Sequence, residues 1–129
     1  MKIIPTKVHG VLDYVVGLLL IAAPWVLGFA DGGAETWIPV ALGGGALAYS
    51  LFTDYELGAV HAINMRMHLM LDFGSGLLLV ASPWLFGFAD RVSLPHVAAG
   101  VFEIVAALMT NPVRGSVPGH STASGAAHR

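Results

Sequence analysis

Four long apolar stretches run through the chain, at residues 10–29, 36–52, 69–89 and 92–110, with short polar breaks between them. Each approaches the length of about 20 residues that crosses a hydrocarbon core of about 30 Å. The second stretch is the shortest, and the fourth is interrupted by Glu103. The pattern predicts four transmembrane helices and an all-α fold. A soluble bundle is the competing reading, but its helices would need a charged outer face, and these stretches have almost none.

The pattern also repeats. His9, Asp13, Tyr14, Gly17, Pro24, Trp25, Gly28, Phe29 and Asp31 return as His68, Asp72, Phe73, Gly76, Pro83, Trp84, Gly87, Phe88 and Asp90, at a constant offset of 59 without a gap. A repeat of this length implies two copies of one structural unit, here a hairpin of two helices. The second helices match less closely. Ile38-Pro39-Val40 and Leu94-Pro95-His96 start them alike, which makes Gly44 and Gly100 equivalent. Two helices per repeat return the chain to the same side of the membrane. The copies are therefore parallel and related by a pseudo-twofold axis along the membrane normal, not inverted. The expected division is a first repeat at 1–55, a cytoplasmic connector at 56–66, a second repeat at 67–111 and a disordered tail at 112–129. The connector reads equally as a short interfacial helix or as a plain loop. The tail is Gly, Ser, Ala, Pro and His with little to bury.

Composition agrees with a membrane location. Mean hydropathy is +0.74, and charged residues are 11% where soluble domains average about 25%. The first stretch follows Lys2 and Lys7 like a signal peptide, but the same segment recurs inside the chain, where it cannot be a leader. A net charge of -2 offers nothing to nucleic acid. The absence of cysteine excludes disulfides, thiolate metal sites and cysteine nucleophiles. Lys2, Lys7, Arg66, Arg114 and Arg129 fall on one side of a four-span arrangement and only Arg91 on the other. The positive-inside rule then puts both termini in the cytoplasm, with residues 31–35 and 90–93 outside. Trp25, Trp37 and Trp84 all fall near that outer boundary, as an aromatic belt would.

Small residues mark where helices approach. Ala41, Gly43, Gly44, Gly45, Ala46 and Ala48 crowd the second helix, and Gly17 and Gly76 sit in the first and third. In lipid, such faces allow close van der Waals packing. Pro24 and Pro83 remove a backbone donor and free the carbonyls of Leu20 and Leu79, so each predicts a kink or an early helix end. Pro-Trp followed by Gly28-Phe29 or Gly87-Phe88 reads as an anchored exit of kink, interfacial ring, flexible residue and second ring.

The candidate chemistry lies in a few intramembrane polar groups. His9 and Asp13 are four residues apart, as are His68 and Asp72, so each pair shares a helix face. Gly17 and Gly76 continue those faces, which points both pairs into the bundle. Glu103 lies about 9 Å from the cytoplasmic end of the fourth helix at about 1.5 Å per residue. One inner-leaflet cluster of His9, Asp13, His68, Asp72 and Glu103 is expected. Such charges are expensive in a bilayer and seek partners. They could tie down helix starts and hold the repeats together. They could instead relay protons or bind a cation, or His9 and His68 could ligate haem or a metal. No nucleophile–base pair or phosphate loop supports an enzyme. No cofactor is required by the sequence, and His96, His120 and His128 suggest no role.

Ala23-Pro24-Trp25 and Ser82-Pro83-Trp84, each inside a repeated two-helix unit and each preceded by His-x-x-x-Asp, resemble the SPW-repeat family of small bacterial membrane proteins. The likeness covers about residues 2–110. The second copy carries Ser-Pro-Trp in full, and the first has Ala23 in place of the serine. The resemblance implies an integral membrane protein with the motif in the first helix of each pair, and it brings no catalytic residue to this chain. Pro24, Trp25, Gly28, Ser82, Pro83, Trp84 and Gly87 are its motif positions. Together these observations predict a multi-pass protein of the bacterial inner membrane with both termini cytoplasmic. The leading role is a structural or accessory component that contacts lipid, itself or other membrane proteins. A small proton- or cation-coupled carrier is the alternative, and a haem- or metal-binding protein the next.

Overall fold

A computed structural model describes residues 2–113. The expected disordered tail therefore lies outside the described residues, apart from its first two positions, as do Arg114, Arg129, His120 and His128. The chain forms four helices in order, α1 (Thr6–Val26), α2 (Ala34–Leu51), α3 (Met65–Leu85) and α4 (Leu94–Met109). Among the described residues there are no strands, only isolated bridges pairing Ile4 with Thr110 and Thr53 with Ile63. The fold is all-α, a four-helix bundle of two repeated hairpins.

Packing within each hairpin is close, α1 on α2 and α3 on α4, while contact between hairpins is much sparser. Glycine pairs explain the close approach. A Cβ on Gly17 would stand 3.2 Å from the Gly43 carbonyl oxygen, and one on Gly43 only 2.6 Å from that of Gly17. Gly76 and Gly100 oppose each other in the same way, at 2.7 and 2.5 Å. The backbones touch, so no side chain fits between them. This corrects the register of the second helices. Gly43, not Gly44, is the counterpart of Gly100, and Gly44 has open space beside it. The reason is that the prolines are not equivalent. Pro95 lies at the very start of α4, where a missing N–H costs nothing, whereas Pro39 lies inside α2.

The Pro-Trp motif ends α1 and α3. Phe29 N–H donates to the Pro24 carbonyl and Phe88 N–H to the Pro83 carbonyl, each at 2.8 Å, across Gly28 (φ 79°) and Gly87 (φ 75°). This is the Schellman arrangement, which needs a left-handed residue after the helix. The glycine is thus a helix stop, not a flexible link. The following Phe is buried at both ends, while Trp25, Trp37 and Trp84 are each more than half exposed. The two aromatic positions of the motif therefore face opposite environments, Phe the core and Trp the surroundings.

Both α1 and α3, at 21 residues, are long and apolar enough to cross a membrane, and α4 is a shorter apolar helix. Val11, Val15, Leu18 and Leu19 on α1, and Met70, Leu77 and Leu85 on α3, are exposed on the bundle's outside. The inside is the more polar part. Its buried residues include Thr6, His9, Asp13, His68, Asp72, Ser82 and Glu103, beside a modest apolar core around Leu20, Leu79 and Phe88. The connector between the hairpins is a series of turns without a helix. Its chain returns along itself, with Asp54 N–H donating to the Ile63 carbonyl and Ile63 N–H to that of Phe52, both at 2.7 Å. The Asn64 side chain then caps α3 by accepting from Met67 N–H at 2.8 Å.

Candidate functional site

The starts of α1 and α3 and the ends of α2 and α4 meet at one end of the bundle, here the His end. Four buried side chains form a ring there. His9 Nε2 lies 2.6 Å from Asp72 Oδ2 and 3.0 Å from Asp13 Oδ1. His68 Nε2 lies 2.9 Å from Asp13 Oδ2 and 3.2 Å from Asp72 Oδ2. The helical i,i+4 spacing puts each His over its own Asp, and the approach of α1 to α3 puts it over the other hairpin's Asp as well. The cross-contacts are reciprocal, as a twofold relation requires. The two imidazoles meet edge-on, with ring centroids 5.5 Å apart.

A second layer holds the ring in place. Thr110 Oγ1 donates to the Ala106 carbonyl at 2.6 Å and therefore accepts from His9 Nδ1–H at 2.7 Å. Thr53 Oγ1 donates to the Tyr49 carbonyl and accepts from His68 Nδ1–H, both at 2.7 Å. Each threonine thus fixes the tautomer of one imidazole and turns its Nε2 toward the carboxylates. Two phenols complete the layer. Tyr49 donates to Asp72 Oδ1 at 2.5 Å, and Tyr55 donates to Asp13 Oδ2 at 2.8 Å. Tyr55 comes from the connector and is fully buried against His68. Burial, with the Asp13 carboxylate beside it, pushes its hydroxyl well above the usual phenol range, so it remains a proton donor. The connector closes the ring from that end. Tyr14 donates to the Leu57 carbonyl at 2.8 Å, and Thr6 to Glu56 Oε1 at 2.8 Å.

Glu103 is buried beside the ring but is not a member of it. It shares a cavity of about 20 Å³ with His9, Asp13 and Asp72, room for about one water. Its Oε2 has no hydrogen-bond partner. His68 Nε2 is likewise in hydrogen-bond line with neither carboxylate, although both are within ion-pair distance. Both His9 nitrogens, His68 Nδ1, Asp13 Oδ2 and both Asp72 oxygens have partners in line.

The opposite end, the Trp end, holds a different polar group. Glu35 at the start of α2 accepts from Arg91 Nη2 at 2.7 Å and from Gly33 N–H at 2.9 Å. His96 Nε2 donates to the Glu35 carbonyl at 2.9 Å. The His96 ring stands between Phe29 and Phe88, the buried aromatics of the two motif copies, at centroid distances of 5.1 and 4.7 Å.

The serine of the motif has a local task. Pro83 deprives the Leu79 carbonyl of its helical donor, and Ser82 Oγ donates to that same oxygen at 2.8 Å. Ala23 offers no hydroxyl to Leu20 in the first copy. Trp25 and Trp37 meet edge-on at 6.2 Å, and Trp37 Nε1 donates to the Gly32 carbonyl at 3.1 Å.

Sequence reasoning named His9, Asp13, His68, Asp72 and Glu103, and the fold gathers all five at one end. It did not name Thr53, Thr110, Tyr49 or Tyr55. A duplicated threonine just past the ends of α2 and α4, opposite a duplicated histidine, was the available signal. The Glu35, Arg91 and His96 group left no signal, because none of the three recurs in the other repeat.

In comparisons with known proteins, the model of the SPW repeat domain matches residues 7–110. No curated protein and no solved structure matches the chain. The matched segment includes both hairpins, and together with two apolar helices it points to a membrane protein.

Proposed function

This chain belongs to the SPW repeat family, and on that premise we propose that it is a structural or accessory component of the bacterial plasma membrane. In this reading all four helices span the bilayer, both termini and the connector are cytoplasmic, and the His end lies in the inner leaflet. The observation that carries the reading is the ring itself. Four buried groups, two from each hairpin, are satisfied chiefly by one another and by a second layer of threonines and tyrosines. That is the chemistry of a clasp between repeats. The exposed aliphatic faces of α1 and α3 suit lipid and further helices, where close packing and not water expulsion drives association.

The test is native mass after extraction from its own membrane in a mild detergent. A complex with unrelated subunits, or a homo-oligomer, is the expected result. A monomer that conducts cations in proteoliposomes would overturn it. For orientation, a reporter fused after Arg129 is expected in the cytoplasm, and its appearance outside would reverse the assignment.

One observation favours a second reading, a small proton- or cation-coupled carrier. Glu103 lines the cavity beside the ring and has one buried oxygen without a hydrogen-bond partner, and intramembrane acids often mark ion paths. Flux lost in Glu103→Gln with the native mass unchanged would favour the carrier. Intact flux, or none in the parent protein, would remove it.

A further inference from the structure

We propose that the His end is a divalent-metal site, filled by Zn²⁺ through His9 Nε2, His68 Nε2, Asp13 Oδ1 and Asp72 Oδ2. The proposal rests on the clasp reading above and names what makes the clasp.

The donors are already gathered. One ligand atom from each of the four residues can be chosen so that all lie within 4.8 Å of one another. Within this set His9 Nε2 stands 3.0 Å from Asp13 Oδ1 and 2.6 Å from Asp72 Oδ2, and His68 Nε2 stands 3.2 Å from Asp72 Oδ2. A tetrahedron with bonds of about 2.0–2.1 Å has edges of about 3.3 Å, so the closest pairs spread and the widest draw in around the ion. Both imidazoles present the correct nitrogen, since Thr53 and Thr110 occupy each Nδ1. Both carboxylates have one oxygen held by a phenol, which leaves the other for a metal. Outer partners of this kind are what orient metal ligands elsewhere.

Protons alone explain the ring less well. A proton on His9 Nε2 has Asp72 in line at 2.6 Å. A proton on His68 Nε2 would point between two carboxylates and reach neither well, and this nitrogen is fully buried. A central cation meets all four donors at once. Two neutral imidazoles and two carboxylates carry a charge that one divalent ion cancels, as burial demands. Two nitrogens and two oxygens suit Zn²⁺ and its first-row neighbours, whereas Mg²⁺ and Ca²⁺ prefer oxygen throughout. Haem does not fit, because the Asp72 carboxylate stands between the two imidazoles, 2.6 Å from His9 Nε2 and 3.2 Å from His68 Nε2, and the cavity beside the ring is only about 20 Å³. Four protein ligands with no open position describe a structural site, not a catalytic one.

The experiment takes the full chain in mild detergent, strips it with a chelator, and adds back Zn²⁺ or Co²⁺ alone. One Zn²⁺ retained per chain through dialysis is expected, with Co²⁺ giving the visible bands of a four-coordinate site. Asp72→Asn is expected to lose both signals. His61→Ala on the exposed connector, and replacement of His120 and His128 in the tail, are expected to keep them. Should Asp72→Asn not fold, Thr53→Val is expected to retain the fold and bind Zn²⁺ about 10- to 100-fold more weakly. No retained metal, metal lost only with the tail histidines, or Thr53→Val binding as the parent does would each overturn the proposal. The outcome is separable from the clasp reading's own test. A metal-free chain in a large native complex sinks the metal and spares the accessory role. A metal-loaded monomer that conducts cations does the reverse.

Discussion

At the His end, each hairpin offers one imidazole and one carboxylate and receives the same pair from the other hairpin. At the Trp end, the first hairpin gives the Glu35 carboxylate to the Arg91 guanidinium and the Glu35 backbone carbonyl to the His96 imidazole. The first junction is symmetric, and the second is not. They differ as much in exposure. The ring's side chains are at most 7% exposed, whereas at the Trp end a carboxylate 2% exposed meets a guanidinium 56% exposed. Breaking a buried group of charges strands its remaining members away from water, while an exposed cation is readily replaced by solvent. Histidine paired with carboxylate therefore makes a rigid joint at one end, and a carboxylate paired with an exposed guanidinium makes a softer one at the other.

The sharpest way to break this contrast is Asp72→Asn. It is expected to cost about 3–5 kcal/mol, as for any partner removed from a buried ionic group. Unfolding in detergent followed by circular dichroism measures it. A cost below that of any Trp-end substitution would mean that the ring is not the principal joint. Next comes Ser82→Ala, which leaves the Leu79 carbonyl without a donor and is expected to cost about 1–3 kcal/mol. The converse, Ala23→Ser, is expected to stabilise by about 0.5–1.5 kcal/mol. If neither change moves the unfolding midpoint, the hydroxyl is not serving the proline-freed carbonyl. Arg91→Ala leaves the buried Glu35 carboxylate with Gly33 N–H and is expected to cost about 1–3 kcal/mol, with the difference from the parent shrinking in high salt. A salt-independent cost would place this pair with the buried ones. Smallest is Trp37→Phe, which removes an exposed bond to Gly32 and is expected to cost about 0.5 kcal/mol. A larger loss would show that the Trp end depends on its indoles more than on Glu35.

The same contrast explains what could be read in advance. Helix number, hairpin pairing and the gathering of His9, Asp13, His68 and Asp72 follow from residues that appear twice at one spacing. Duplication supplies a second reading of each position, and lone polar residues have none. Nothing in the sequence therefore joins Glu35, Arg91 and His96 into one group, although Glu35 and His96 are nearly fully buried. Glycine register failed for another reason. Matching Pro39 with Pro95 aligned two prolines of different helical position, and only packing could select Gly43 over Gly44. In the sequence Gly28 and Gly87 read as flexible, because a helix stop and a hinge use the same residue. Their Schellman bonds depend on Phe29 and Phe88 finding a core, which is a tertiary fact.

The reciprocity of the ring has a consequence for descent. A lone hairpin bearing one histidine and one aspartate holds half of a self-complementary device, so two identical copies would close the same circle. Fusion through residues 53–64 turns that dimer into one polypeptide. In one polypeptide the copies are free to differ wherever identity is not needed, as they do at Glu35, Arg91 and His96 and, around the ring, at Tyr49, Tyr55 and Glu103. Halves severed inside that link and produced together are expected to find each other again. Two first halves alone should manage a poorer union, since Arg91 and His96 exist only in the second.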